Sequence, residues 1–244
     1  MKEWTTKDSC SIRWYDEVSS TNDVAREWAK SVLHERLVVV ADNQTNGRGR
    51  RGASWVTPAG EALAFSLVLR PTMVRSLWPR LALVSGLAVA KVLESRGLYA
   101  EVKWPNDVHI DGKKICGILL ESIDDFVVIG VGVNINVSSF PAELENIATS
   151  MKCETGFDYN REELLENFIS SIMLHAQMVE HQFDLLLDSI RERCALTGKR
   201  VTLTTSGELL EGVIAGIANN GDILLDCGDR VLSLCQADDI RASH

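Results

Sequence analysis

The chain has 244 residues, 45% apolar and 24% charged, with 25 basic against 34 acidic side chains and a formal net charge of −9. This is the make-up of a globular protein with room for one large and one small domain, which excludes the disordered and fibrous classes. It also excludes a general nucleic-acid binder, because counterion release needs Lys and Arg clustered over a wide face, and the dense positive cluster here is local, at residues 48–51.

Residues 12–18 predict a first strand, and Ser19-Ser20-Thr21-Asn22-Asp23 predicts a helix start with Ser20 or Thr21 as its cap. Val24, Ala25, Trp28 and Ala29 make the apolar face of that helix. Residues 37–41 are a continuous apolar run, rich in β-branched side chains, as in a buried strand. A polar, Gly-rich loop over 43–54 follows, and then a strand at 63–69. Residues 77–96 predict a helix with Pro79 tolerated in its first turn and Gly97 as its stop. Short strands at 101–104 and 108–110 lead to Asp111-Gly112, a type I′ hairpin signal. Strands at 115–121 and 126–136 come next. Asn160 with Glu163 three residues on resembles a capping box. From there to Arg193 there is no Gly or Pro, and Leu165, Ile169, Ile172, Ala176, Val179, Phe183, Leu186 and Ile190 recur at helical steps. That is one long helix or two, with a stripe facing the core. Beyond Thr197-Gly198, strands at 201–204, 209–217, 222–225 and 231–234 alternate with turns at Ser206-Gly207, Asn219-Asn220-Gly221 and Gly228-Asp229. So short a unit buries little surface by itself and is expected to dock on what precedes it.

The sharpest feature is Asn43-Gln44-Thr45-Asn46-Gly47-Arg48-Gly49-Arg50-Arg51-Gly52. Its glycines match G-x-G-x-x-G after a strand. The dinucleotide fingerprint, however, requires a helix directly after the loop and an acidic residue about 20 positions on. Residues 53–60 start no helix, and Arg70-Pro71-Thr72 stands where the acid belongs, so that reading fails. Three arginines within four positions repel one another unless an anion visits. Neighbouring glycines let backbone N–H groups approach it, and guanidinium forks match carboxylate and phosphate. Each charge-assisted hydrogen bond is worth about 1.5–3 kcal/mol, so two or three can order the loop around an acyl phosphate. The plainer alternative is a solvated loop whose arginines serve solubility.

Lys103-Trp104-Pro105-Asn106-Asp107 follows a strand directly and places a compact positive charge at its end; an ordinary turn with a snorkelling lysine is the rival. Gly117, and Gly130 with Gly132, interrupt strands, which marks close approach by a ligand, another backbone or a bulge. His34, His109, His175, His181 and His244 show no ligand spacing, and the six cysteines form no CxxC pair. Reduced thiols and a cytoplasmic protein are expected. No segment reaches the roughly 18–20 apolar residues of a membrane helix, and the first ten residues lack the apolar core of a signal peptide.

In order, Ser-Ser-Thr-Asn at 19–22, Gln-Thr-Asn-Gly-Arg-Gly-Arg-Arg-Gly-Ala-Ser-Trp at 44–55, Lys-Trp-Pro-Asn-Asp at 103–107, Lys-Ile-Cys-Gly-Ile-Leu-Leu-Glu at 114–121 and Gly-Val-Gly-Val-Asn-Ile-Asn at 130–136 resemble the biotin protein ligase family. The likeness is strong over 12–136 and weaker to the end. It implies an α+β fold: a mixed, largely antiparallel sheet with helices, of the kind shared with class II aminoacyl-tRNA synthetases. A small C-terminal Src-homology-3-like β-barrel would follow, the domains being 1–195 and 196–244. Eighteen residues precede Ser19, too few for the helix-turn-helix arm of the repressor members, so a form without that arm is expected.

The resemblance implies an ATP-dependent biotin ligase that makes biotinyl-5′-AMP and passes biotin to a lysine of a biotin carboxyl carrier domain. Mg²⁺ would come with ATP, with no protein metal site. Nucleic-acid and membrane partners are not implied, and a homodimer through an exposed strand edge is compatible. By position, Lys103 and Arg50 would be catalytic. Ser20, Thr21, Asn22, Gln44, Gly47, Arg48, Gly49 and Gly117 would join them around biotin and its adenylate. Arg51, Trp55, Asn134 and Arg241 would meet the nucleotide, and Asp107 would aim or deprotonate the incoming amine. A lipoate or octanoate ligase or transferase on the same scaffold is the alternative, against which stand the arginine loop and the β tail. A non-catalytic biotin-binding regulator is disfavoured by Lys103.

Overall fold

The computed structural model describes residues 1–6, 9–32 and 36–242. His34 and His244 lie outside them. The chain opens with β1 (Lys2–Thr5), β2 (Cys10–Val18), α1 (Thr21–Ser31), β3 (Arg36–Gln44) and β4 (Ala62–Leu69). Helix α2 (Arg80–Glu94) leads to β5 (Glu101–Lys103), β6 (Asp107–Ile110), β7 (Lys113–Ile123) and β8 (Phe126–Asn134). Three helices follow, α3 (Met151–Thr155), α4 (Arg161–Met178) and α5 (Phe183–Glu192). The chain ends in β9 (Arg200–Thr205), β10 (Glu208–Ile217), β11 (Ile223–Asp226), β12 (Val231–Leu234) and β13 (Asp238–Ala242).

The first eight strands make one mixed sheet in the order β1-β2-β3-β4-β8-β7-β6-β5. Only β2 and β3 pair in parallel; the other neighbours are antiparallel. Both faces are covered, which explains the unbroken apolar run in β3. Val38 and Val40 join the large core built with α2, α4 and α5, while Leu37 and Val39 join Ala25, Ala29, Val68, Phe126 and Val128 beneath α1. Strand β8 alternates in the same way. Its odd positions Val127, Ile129, Val131 and Val133 enter the large core. Phe126 and Val128 meet α1 on the other face, and the next even positions are Gly130 and Gly132. Along that face the side chains stop where the glycines begin, and a hollow opens.

Local signals set the element ends. Pro79 caps α2, whose first residue is Arg80 rather than the expected 77; a 3-10 turn, Arg75–Leu77, occupies the preceding residues. Gly97 takes φ +81° and lets Leu98 N–H donate to Leu93 O at 3.1 Å, closing the helix. Asp111 and Gly112 have φ of 47° and 77°, the two positive values a type I′ turn needs. Asn160 caps α4 by accepting from the N–H of Glu162 and Glu163 at 2.9 and 3.2 Å. The carboxylate of Glu163 turns to Arg96 at 2.6 Å, so only half of the capping box forms. The long periodic stretch is two helices: α4 packs on α2 and β4, whereas α5 turns to pack on α2 and β10.

The last five strands form an antiparallel sheet in the order β12-β11-β10-β9-β13. Its inward side chains, among them Val201, Leu203, Ile214 and Ile223, belong to the same core as α2 and α5. Trp104 pins it with an indole N–H to Gly221 O bond of 3.0 Å. No helix among the described residues is long and apolar enough to cross a membrane.

Candidate functional site

The hollow is a cavity of about 660 Å³, open to solvent, between the α1 face of the large sheet, the loop after β3 and the start of β13. Its floor is glycine. Gly117 of β7 lies opposite Gly132 of β8, and Leu119 opposite Gly130. A Cβ on Gly130 would collide with the side chain of Asn22, and one on Gly132 with the indole of Trp55. At Gly117 it would sit 3.2 Å from Trp55 Cζ3 and 3.1 Å from Lys114 Nζ. The bare strands therefore form a shelf, and the Trp55 indole lies against it.

One end of the cavity is neutral and polar. Ser20 is the residue before α1, and Thr21 and Asn22 are in its first turn; all three are buried. Gln44 Oε1 accepts from the Thr21 N–H at 2.9 Å and from its hydroxyl at 3.1 Å, while Gln44 Nε2 donates to Thr57 Oγ1 at 3.2 Å. Asn22 Nδ2 donates to Glu121 at 2.7 Å, and its Oδ1 lies 2.6 Å from Ser66 Oγ. Such a connected set holds donors and acceptors in fixed directions.

The other end is cationic. Arg48 forks onto Asp23 at 2.5 and 2.9 Å and reaches Glu121 at 3.5 Å. The Arg48 hydrogen bond is the main force holding the Asp23 carboxyl below its ordinary range. Arg50 bonds Asn106 Oδ1 at 3.4 Å and Asp238 at 3.3 Å, and Arg51 pairs with the same Asp238. Lys103 lies at the end of β5, half-buried. Burial lowers its pKa below the usual 10.5, and Lys114 and Lys199 press the same way against the attraction of Asp107. Lys114 pairs with Asp107 at 2.8 Å, its ammonium 5.7 Å from the Trp55 ring centre. Behind this wall His109 is buried, its pKa pushed down to about 4, first by desolvation and then by Lys103. It is neutral at pH 7, with Nδ1 3.0 Å from Gly112 O.

Most residues singled out from the sequence thus meet in one wall: Ser20, Thr21, Asn22 and Gln44 at the polar end, Gly117 and Trp55 on the shelf, and Arg48, Gly49, Arg50, Arg51, Lys103 and Asp107 at the cationic end. Three lie elsewhere. Gly47 is behind the loop, where Trp55 N–H donates to its carbonyl at 2.9 Å and a side chain would strike the Trp55 carbonyl. Asn134 is buried at the end of β8 with its amide on Thr149 O at 2.9 Å. Arg241 is exposed on β13, paired with Thr202 of β9. The sequence reading missed Lys114, Ser66, Glu121 and Asp238. Lys114 and Glu121 carried a signal, as the two ends of the motif at 114–121; Ser66 and Asp238 come from distant segments and carried none.

The family model for biotin/lipoate A/B protein ligases matches residues 14–136, about half of the chain. The bifunctional ligase/repressor BirA of Bacillus spizizenii is 33% identical over 92% of this chain and 72% of its own length. The chain belongs to the biotin/lipoate A/B protein ligase family. A second ligase, the biotin–[acetyl-CoA-carboxylase] ligase of Mycobacterium tuberculosis, is 30% identical over 91% of this chain and 85% of its own. Among solved ligases, the biotin protein ligase of Aquifex aeolicus in complex with biotin and ATP superposes with a TM-score of 0.86. It is 31% identical, over 95% of this chain and 99% of that one.

Proposed function

We propose that the protein is an ATP-dependent biotin protein ligase. The observation that carries this reading is the meeting, in one cavity, of a glycine-floored shelf with fixed neutral polar groups at one end and Lys103, Lys114 and the arginine loop at the other. Biotin offers a neutral ureido ring, an apolar thioether ring with an alkyl chain and a terminal carboxylate, in that order. Its relatives include ligases named for biotin and a structure that holds biotin and ATP.

In the first half-reaction the biotin carboxylate attacks the α-phosphorus of ATP, the bond to pyrophosphate breaks, and biotinyl-5′-AMP forms. In the second, a lysine amine of a carrier domain attacks the acyl carbon and AMP leaves. Neither step needs an enzyme nucleophile, since the acyl group is activated on phosphate. Orientation can supply about 7–11 kcal/mol of such a barrier, and fixed charges stabilise what develops in the transition state. Thr21, Asn22 and Gln44 orient the ureido ring, with Ser20 beside them. Lys103 and Lys114 bring carboxylate and α-phosphate together. Arg48, Gly49 and Arg50 enclose the acyl phosphate, Arg51 and Trp55 flank the nucleotide, and Asp107 aims the incoming amine. Asn134 and Arg241 act on the nucleotide only if their segments shift toward it. Mg²⁺ would come with ATP and neutralise phosphate charge, and Asp107, a carboxylate lining the cavity, would be available to hold it. Residues 1–195 are the catalytic domain, and 196–244 a small domain of the Src-homology-3-like barrel type.

The test is biotin-dependent exchange of labelled pyrophosphate into ATP. Exchange is expected with biotin and absent with lipoate, and Lys103→Ala should reduce it by roughly 10²–10³-fold, the usual cost of losing a fixed charge at the reacting centre. Exchange with lipoate alone would sink the reading, and undiminished exchange in Lys103→Ala would remove that residue's role.

A further inference from the structure

The arginine loop has little of its own to hold its tip. The 3-10 turn Arg50–Gly52 buries no side chain, and Arg51 sits in the left-handed region at φ 52°. Within the loop, Gly49 N–H bonds Ala53 O at 2.6 Å and Ala53 N–H bonds Arg50 O at 3.1 Å. Arg48 fixes the loop's base on Asp23. The tip is fastened elsewhere, by Asn106 and by the first turn into β13. Arg50 reaches Asp238 Oδ1 at 3.3 Å and Ala237 O at 3.4 Å, and Arg51 pairs with the second oxygen of the same carboxylate. The Asp238 side chain is 8% exposed, against 31% for Arg50 and 56% for Arg51. Two guanidinium groups on one nearly buried carboxylate leave one positive charge in surplus, so the loop is tied down while remaining cationic toward the cavity.

Both oxygens of the nearly buried Asp238 carboxylate are already taken by Arg50 and Arg51, and a bare carboxylate would work against an anion by its own charge, so the guanidinium contacts account for Asp238. We infer that Asp238 is a positioning residue, a clasp that fastens the tip of the arginine loop to the C-terminal sheet and so closes the cavity over its acyl phosphate. The inference rests on the ligase reading given above. Biotinyl-5′-AMP is a mixed anhydride: water that reaches the acyl carbon yields free biotin and AMP. A closed loop keeps the intermediate for the carrier lysine, and the clasp gives the C-terminal sheet a part in that retention.

The experiment compares wild type, Asp238→Asn and Asp238→Glu as full chains. Backbone amide exchange over residues 48–54, read by mass spectrometry without ligand, should quicken at least tenfold in Asp238→Asn and stay near wild type in Asp238→Glu. Peptides from β9 and β10 should keep their protection in both, showing that the sheet is folded. With biotin and ATP but no carrier, Asp238→Asn should release AMP severalfold faster while pyrophosphate exchange persists. Unchanged loop exchange in Asp238→Asn overturns the clasp. Unchanged loop exchange together with tighter ATP binding does so too, by making Asp238 a competitor of the anion. A wild-type protein that forms no biotinyl-5′-AMP would overturn the ligase reading and leave the amide-exchange arm to judge the clasp alone.

Discussion

Lys103 concentrates the chemistry of the site in one titratable group. To draw a carboxylate and a phosphate together it must carry its proton, and burial makes that proton easier to lose than from an exposed lysine. The sign follows: the protonated, working form is present at low pH and disappears as pH rises through a value below 10.5. The alkaline limb of kcat/KM for adenylate formation, which reports the free enzyme, should therefore fall before ordinary lysines titrate. The limb of kcat should lie higher, because a bound anion restores the proton. Lys103→Arg, which keeps its charge throughout this range, should push the alkaline limb of kcat/KM upward at reduced rate; an unmoved limb would assign the titration to another group. At this scale the sequence was informative where a cluster was local. Three arginines in four positions are legible because their mutual repulsion is a local fact. Asp238, which two of them grip, lies nearly 190 positions away, and Ser66 and Glu121 reach Asn22 from separate strands. Only the fold makes them neighbours.

Among the elements, β7 and β8 decide the shape of the cavity. Their period-2 alternation sends every second side chain into the large core, and the positions left for the other face past α1 are Gly117, Leu119, Gly130 and Gly132, three of them without a side chain. The glycines weaken the strands locally and in exchange leave a shelf one ring deep. Gly132→Ala should test this. The added methyl collides with the Trp55 indole, and strand geometry does not let it turn aside, so the ring must leave the shelf. The KM for biotin should rise by about tenfold or more, equivalent to roughly 1.4 kcal/mol or more of lost binding. The melting temperature should move little, because the cavity is open to solvent and the half-buried ring has room to relocate. Unchanged KM would mean that the ligand does not use the shelf. The strands that the sequence revealed were those with apolar patterning, such as β3, β4 and β8. It did not reveal β1, α3 and β13. Helix α3 is five residues long, and β1 and β13 are polar edge strands, Lys2–Thr5 and Asp238–Ala242, whose pairing with β2 and β9 supplies what their composition does not.

At the scale of the molecule the question is whether the C-terminal sheet stands by itself. A chain of this length usually departs from two-state unfolding, and a boundary near residue 195 would invite two transitions. The packing argues for one. Val201, Leu203, Ile214, Ile217, Ile223 and Leu225 are buried in the same core as Leu81, Phe183 and Leu186. Polar ties cross the same seam, among them Trp104 Nε1 to Gly221 O at 3.0 Å, Arg191 Nε to Ile217 O at 2.9 Å and Arg80 Nε to Asn220 O at 3.2 Å. Separated, a sheet of fewer than about 50 residues would bury too small a fraction of its surface to be stable, and α2 and α5 would expose an apolar face where it had been. Scanning calorimetry of the full chain should therefore show a single peak whose calorimetric and van't Hoff enthalpies agree. Trp104→Phe, which removes the central tie at a net cost of about 0.5–1.5 kcal/mol, should lower that peak by a few degrees without splitting it. Two resolved transitions would make the small sheet an independent unit, and the clasp at Asp238 would then join two bodies free to move rather than two parts of one.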